Sequence, residues 1–500
     1  MTSPSQRVQP APRPSEGGAH HALPDYSRKW YVMAAVAMGI FLATIDGSIV
    51  NIALPTLVTE LNTSFGTVQW VVLAYLLTLV TLLPSVGRLA DIRGKKNIYV
   101  IGFAAFTIGS VLCGLAPTVG WLIAMRVVQA VGAAMILSLG QAILTEAFPP
   151  SERGRALGVS GAIVSIGIIA GPTLGGLILG ALSWHWIFFV NLPVGIVGVW
   201  VAMRYVPHSR PRGGQVFDIA GAVALFVSLL TLFLALTFGQ SWGFGSVRVL
   251  LLFAAAVMAL FTFVQIERRV AQPMIDLRLF RNPEFSVNLA TGLLVFITMA
   301  GTILLLPFYL EGIRGFAVAQ VGIILAVTPI CVGIVSPYSG MLSDRFGSRR
   351  IIVFGLIIFM SGFVALATLQ MATPLWAYVM RMMLVGIGLG FFQSPNNSAI
   401  LGSVPRERLG VASSLLALTR TLGQSIGIAI SGALWAAGVV ALLGYLPNGG
   451  APSAPPEVQM AAMARSFIVG SFLAAVALVL AAWAWWRESR SAQLRSVQRS

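Results

Sequence analysis

The sequence predicts an all-α integral membrane protein of fourteen transmembrane helices, built as two six-helix bundles with a two-helix insert between them. Composition is the first ground. Of 500 residues, 57% are hydrophobic and only 10% charged, and the mean hydropathy is +0.87. Soluble domains of this size carry far more charge. Length is the second ground, since a bilayer core takes about 20 apolar residues per helix and runs of that length recur along the whole chain. Internal repetition is the third. GRLADIRGKK (Gly87 to Lys96) returns in reduced form as GMLSDRFGSRR (Gly340 to Arg350), each time after a long apolar run. Asp91 and Asp344 are 253 positions apart, Arg126 and Arg381 are 255 apart, and PPSERGRALG from Pro149 pairs with VPRERLGVA from Val404. Repetition at this scale in a membrane chain marks a transporter made of two homologous halves.

The first half holds spans at 31–55, 67–86, 98–117, 121–145, 156–182 and 187–206. The second of these runs into GRLADIRGKK, and the fifth follows PPSERGRALG. The 253-residue offset then locates an insertion. Polar HSRPRGG (His208 to Gly214) leads to a span at 218–238, GQSWGFGS (Gly239 to Ser246) to one at 247–266, and ERRVAQPMIDLRLFRNPEF (Glu267 to Phe285) closes the insert. It carries no intramembrane charge and reads as a spacer packed on the outside. Spans at 286–310, 319–342, 351–370, 375–400, 410–440 and 465–486 repeat the six-helix unit. The resulting division is a tail at 1–29, a bundle at 30–207, the insert at 208–284, a bundle at 285–486 and a tail at 487–500.

Cations set the orientation, because Lys and Arg of short loops stay on the cytoplasmic side. With fourteen spans, 26 of the 32 Lys and Arg fall on the side of both termini, and only Arg248, Arg314 and Arg465 on the other. Arg126, Arg381 and Arg420 fall inside spans. Removing one helix would scramble this split, so it supports both the helix count and cytoplasmic termini. The net charge of +16 is thus a topological device facing anionic lipid, and no basic domain suited to nucleic acid is present. The first 25 residues, rich in Pro, Ser, Gly and His, read as a disordered tail. They are not a cleaved signal peptide, because the apolar run after Lys29 is too long. Cys113 and Cys331 lie in separate spans as small core residues. His20, His21, His185 and His208 have no metal-ligand spacing, so neither a metal nor a cofactor is expected.

The repeated loop motif resembles the signature of the major facilitator superfamily, and fourteen spans with a central pair resemble its drug:proton antiporter branch of the EmrB/QacA type. Four further stretches agree: IDGSIVNIALP (Ile45 to Pro55) with that branch's first-helix motif, LIAMRVVQAVGAA (Leu122 to Ala134) with its fourth-helix arginine motif, GIIAGPTLGG (Gly167 to Gly176) with its fifth-helix antiporter motif, and WHWIFFVNLP (Trp184 to Pro193) with the segment after it. Three positions depart from the pattern. Ala130 stands where glycine is usual, His185 where arginine is usual, and Glu311 where the ninth helix often ends in glutamine. Glu311 is therefore a candidate second acidic or substrate site.

Proton coupling requires a group that binds and releases a proton within the membrane, and Asp46 is the one acidic residue well inside a span. A carboxylate there is costly unless protonated, paired or facing a wet cavity. Asp46 lies 16 residues past Trp30, about 24 Å along a helix entering from the cytoplasm, and Arg126 lies 5 residues past Trp121, about 8 Å along one entering from outside. In a core of about 30 Å those depths coincide. The resemblance places the two helices beside one central cavity. The expectation is an Asp46–Arg126 couple, oriented by Gln129 one turn away, at which proton and a cationic substrate compete.

In the loop motifs, Asp91 and Asp344 are expected to hold cations such as Arg88, Arg93, Arg345 and Arg350, or the N-termini of neighbouring helices, in one conformer and to release them in the other. Gly87 and Gly340 open the motifs, Lys95 follows the first turn, and Gly94 and Gly347 permit the tight turns. In GIIAGPTLGG, Gly167, Gly171, Gly175 and Gly176 allow close helix approach and Pro172 bends the helix, which the resemblance ties to antiport. The whole reads as an exporter of lipophilic, cationic drugs or dyes driven by the proton gradient, in a bacterial inner (plasma) membrane. Export of one endogenous metabolite, antibiotic or lipid by the same machinery is the alternative. A bacterial source is suggested by 29 Arg against 3 Lys. An accessory periplasmic protein cannot be read from the chain.

Overall fold

The computed structural model describes residues 26–63, 65–208, 216–316, 318–445, 447 and 451–497. Among them, fourteen helical segments are long and apolar enough to cross a membrane. The first half comprises α1 (Lys29–Glu60), α2 (Phe65–Arg93), α3 (Lys95–Gly114), α4 (Val119–Ala147), α5 (Arg153–Ala181), the single turn α6 (Trp186–Phe189) and α7 (Asn191–Tyr205). The insert is α8 (Ile219–Trp242) and α9 (Val247–Arg269). The second half comprises α10 (Pro283–Phe308), α11 (Val318–Leu325), α12 (Val327–Phe346), α13 (Ser348–Ala367), α14 (Leu375–Gly402), α15 (Leu409–Leu443) and α16 (Pro456–Val497). Two spans are broken helices, α6 with α7 and α11 with α12, so sixteen helices make fourteen crossings.

Most observed boundaries lie close to those expected, and the last span differs most. α16 begins at Pro456 rather than near Arg465 and runs to Val497, so the stretch 487–497 continues the final helix. Arg465 is an exposed residue of this helix and not of a loop. The expected tail at 1–25 and the HSRPRGG stretch over 209–214 lie outside the described residues.

One apolar core, around Phe103, Phe106 and Leu139, fills the first half and continues into the insert and across the seam to Ile400, Val411 and Leu415, and another, around Phe359, Phe363 and Leu356, fills the second half. Large apolar side chains such as Leu177, Val257 and Phe472 are about two-thirds exposed on the perimeter. Water would penalise that surface by about 25 cal/mol for each Å², whereas lipid solvates it. The halves meet through α2 against α15 and α5 against α12, two interfaces that the internal repeat makes equivalent, and α4 and α14 add to the seam. In the insert, α8 and α9 pack on each other, and α8 leans on α2 and α15. That arrangement is a buttress on the outside of the seam.

Turn chemistry at the repeated motifs follows the sequence. Gly94 and Gly347 separate consecutive helices with φ of 95° and 88°, a backbone region costly for any residue with a Cβ. Both chain directions therefore reverse within one residue, and the aspartate of each motif stays on the last turn of its helix.

Candidate functional site

Asp46 and Arg126 meet inside the first half. Arg126 Nη1 donates to Asp46 Oδ2 at 2.6 Å and to Gln129 Oε1 at 2.6 Å, while its Nε donates to the Val71 carbonyl at 3.0 Å. Gln129 Nε2 donates to Asp46 Oδ1 at 2.8 Å and to Ser110 Oγ at 2.6 Å. Asn191 Nδ2 reaches Asp46 Oδ1 at 3.3 Å and Ser110 Oγ at 3.2 Å. The guanidinium lies 4.1 Å from the centre of the Tyr75 ring, within cation–π range. Asp46 is 0% and Arg126 1% exposed.

Five helices thus converge on one carboxylate: α1 supplies Asp46, α2 Tyr75 and Val71, α3 Ser110, α4 Arg126 and Gln129, and α7 Asn191. Taking two charges out of water costs several kcal/mol each, and the pair persists only where further hydrogen bonds satisfy the remaining atoms. Here they do. The ion pair and its hydrogen bonds therefore tie five helices together.

The glycine run is a packing surface beside this cluster. A Cβ added at Gly167 would collide with Thr44, at Gly171 with Ser48, and at Gly175 with Ile49, while at Gly176 it would meet open space. Gly167, Gly171 and Gly175 share one face of α5 because residues four apart lie one above another. That face lies against α1 on both sides of Asp46, and Ser48 Oγ donates to the Gly167 carbonyl at 3.3 Å. Pro172 sits in α5, with its side chain outside the described set.

The loop aspartates reach across the seam. Asp91 accepts from the backbone N–H of Gly410 at 2.9 Å and of Val411 at 3.0 Å, the first turn of α15. Asp344 accepts from the N–H of Gly154 at 2.9 Å and of Arg155 at 3.0 Å, the first turn of α5. Each carboxylate therefore caps a helix of the opposite half, where free N–H groups and the helix dipole favour negative charge. The glycines make room: a Cβ on Gly87 would strike the Gly410 carbonyl, and one on Gly340 would strike Gly154.

The cations distribute differently from expectation. Lys95 is the partner of Asp91, at 3.1 Å, and also pairs with Glu146 at 2.8 Å. Arg93, Arg345 and Arg350 are exposed, and none forms an ion pair with either aspartate among the described residues. Arg88 is buried, but its Nε finds no partner in the described set. Ser348 replaces Lys95 in the second motif and bonds Ser343 at 2.9 Å, so the second cap lacks a lysine.

A cavity of about 270 Å³ lies between the halves, walled by α5 on one side and α10, α11, α12, α14 and α15 on the other. A smaller one of about 70 Å³ adjoins it, and Val164, Phe296, Gln393 and Arg420 line both. Asp46 lines neither cavity. Glu311 is exposed on a π-helical turn (Tyr309–Ile313) and also lies outside both. Sequence reasoning pointed to Asp46, Arg126 and Gln129 but passed over Asn191, Ser110 and Tyr75. Asn191 stood in the WHWIFFVNLP stretch as the amide of an otherwise apolar segment, which was the available signal.

Two six-helix halves around a central cavity, with an ion pair sealed in one half and reciprocal caps across the seam, define a membrane transporter and not an enzyme. The chain belongs to the Major Facilitator Superfamily, which it matches over residues 36–428 and again over 289–498. It is 35% identical over 410 residues to the riboflavin transporter RibZ of Clostridioides difficile, covering 82% of this chain and 89% of that protein. It is 34% identical over 412 residues to the multidrug resistance protein Stp of Mycobacterium tuberculosis, covering 82% and 76%. Among solved structures, the proton:xylose symporter XylE superimposes with a TM-score of 0.64 at 12% identity, covering 91% of this chain and 95% of that one, a likeness of fold.

Proposed function

We propose that this chain is a proton-coupled antiporter that exports lipophilic compounds by alternating access across a bacterial inner membrane, with both termini cytoplasmic. The sealed Asp46–Arg126 couple carries this reading. Among the described residues Asp46 is the one buried acid well inside a span, and a proton there changes the packing of α1 against α4 and α7. Asp91 and Asp344, capping helices across the basic end of the molecule, hold that end shut in the conformer described. Protonation of Asp46 frees Arg126 and slackens the first half, and the caps release as the halves rock. Substrate occupies the cavity between the halves and is expelled as the proton returns inward. No accessory protein is required by this scheme.

Relatives named as multidrug resistance proteins favour a broad substrate range, and the relative named as a riboflavin transporter favours the alternative, a dedicated exporter of one metabolite, antibiotic or lipid. Efflux from cells expressing the protein tests the coupling. Wild type should clear a lipophilic dye and stop when a protonophore collapses the gradient. Asp46→Asn, present at equal abundance, should retain less than about a tenth of the gradient-driven rate, the scale expected for losing a positioned proton-transfer group. Normal coupled efflux by Asp46→Asn would sink the scheme.

A further inference from the structure

Arg126, Arg381 and Arg420 all lie inside membrane spans, and they are treated differently. Arg126 has Asp46. Arg381 donates to the carbonyls of Ala365 and Ala377 and to Thr368 Oγ1 at 2.8–3.3 Å. Arg420 has no hydrogen bond, ion pair or ring contact among the described residues, yet it forms part of the wall of both cavities. It sits about 16 Å along α15 from Leu409, near the middle of a bilayer core of about 30 Å. Neither cavity wall contains a carboxylate. The internal offset carries Asp46 to Met299, which lines the larger cavity, so the second half presents a thioether where the first has an acid.

An arginine keeps its charge at this depth, and an intramembrane charge normally finds a partner. We propose that the partner is the substrate: the central cavity takes an amphipathic organic anion whose carboxylate seats on Arg420. Two buried hydroxyls support the seat. Ser413 on the wall of the smaller cavity and Thr328 on that of the larger have hydroxyls buried just beneath the surface and without a partner among the described residues, and a change of rotamer would let either donate to an anionic oxygen. Gln393, on both walls, adds an amide. The rest of the larger cavity, including Phe296, Met299 and Val332, is apolar and suits a hydrophobic body. This assignment rests on the transport reading above and reverses the charge of the substrate expected from Asp46, because Asp46 lies behind the bundle wall and Arg420 faces the cavity.

The test uses the full-length protein in lipid nanodiscs and three probes with one hydrophobic body: pyrenebutyrate, its methyl ester, and pyrenebutyl-trimethylammonium. Fluorescence anisotropy without any proton gradient reads their affinities. Wild type should bind the carboxylate at least about tenfold tighter than the ester or the ammonium, and Arg420→Gln should lower the carboxylate-to-ester ratio about 10- to 100-fold, the loss of a charge-assisted hydrogen bond. Arg420→Lys should keep part of the preference. Equal affinity of wild type for all three probes, preference for the ammonium, or a carboxylate preference that survives Arg420→Gln would each overturn the proposal, and the first two need no variant. Proteoliposomes with and without an imposed pH gradient separate the two readings. Pyrenebutyrate bound but not moved by the gradient overturns antiport and leaves the anion site standing, while gradient-driven movement of the ammonium alone does the reverse.

Discussion

At the scale of single residues, the Asp46 cluster is a charge kept in the membrane by saturation of its hydrogen bonds. The carboxylate accepts from Arg126, Gln129 and Asn191, and Arg126 spends its other donors on Val71 and Gln129. Deleting one partner strands the other, so single and double variants should not add. Arg126→Gln leaves a buried carboxylate uncompensated and should destabilise the protein by about 3–5 kcal/mol. Arg126→Gln combined with Asp46→Asn removes both charges and should recover much of that loss. Thermal unfolding in detergent checks this, and a double variant as unstable as Arg126→Gln alone would show that the pair is not the source of the cost. Asp46 and Arg126 were legible in the sequence because charges inside spans are few and their depths could be compared. Ser110, Asn191 and Tyr75 were not, because neutral polar side chains are common in membrane helices and only the fold says which of them converge. Arg420 was visible as a charge, but its want of a partner is a property of the packing.

At the scale of elements, α5 approaches α1 because Gly167, Gly171 and Gly175 give it a face without side chains. The approach fixes Thr44 and Ser48, two residues to either side of Asp46 on the opposite face of α1, and so holds the carboxylate in register with α4. Gly171→Ala would drive a methyl group into Ser48 and push the helices apart, an overpacking worth about 1–3 kcal/mol, and should reduce coupled efflux severalfold. Gly176→Ala points into open space and should leave efflux and stability as they are. Parallel efflux and melting measurements decide, and equal damage from both substitutions would mean that the run matters through backbone flexibility. The glycines were legible as a motif, but which of them touch a neighbour was not, since four glycines in ten residues fit more than one face. Helix number was legible from apolar length alone. The start of α16 was missed because Pro456 to Ala464 is mixed in polarity, and the helix there is set by packing against the second half.

At the scale of the whole molecule, the internal repeat supplies two equivalent clasps. The aspartate of each loop motif finds the backbone amides of the PSERG and PRERLG stretches, which are themselves repeats of each other, so duplication produced both the anion and its receptor in each half. The pairing across the seam could not be read from the chain, because proximity of 319 and 190 residues in sequence separation is decided by how the halves dock. The clasps are unequal. Asp91 is buried and joined by Lys95 and Glu146, whereas Asp344 is half-buried without a lysine. Charge-assisted hydrogen bonds contribute about 1.5–3 kcal/mol each, so Asp91→Asn, which keeps the shape and removes the charge, should shift the equilibrium toward the state open at the basic end by about tenfold or more. Asp344→Asn should shift it less. Spin labels at Arg93→Cys and Arg406→Cys, in a background with Cys113 and Cys331 replaced, would report the two states as a short and a long distance. A long-distance population that grows more with Asp344→Asn than with Asp91→Asn would reverse the assignment of the stronger clasp, and no growth with either would mean that apolar contact between α2 and α15 and between α5 and α12 closes the seam by itself.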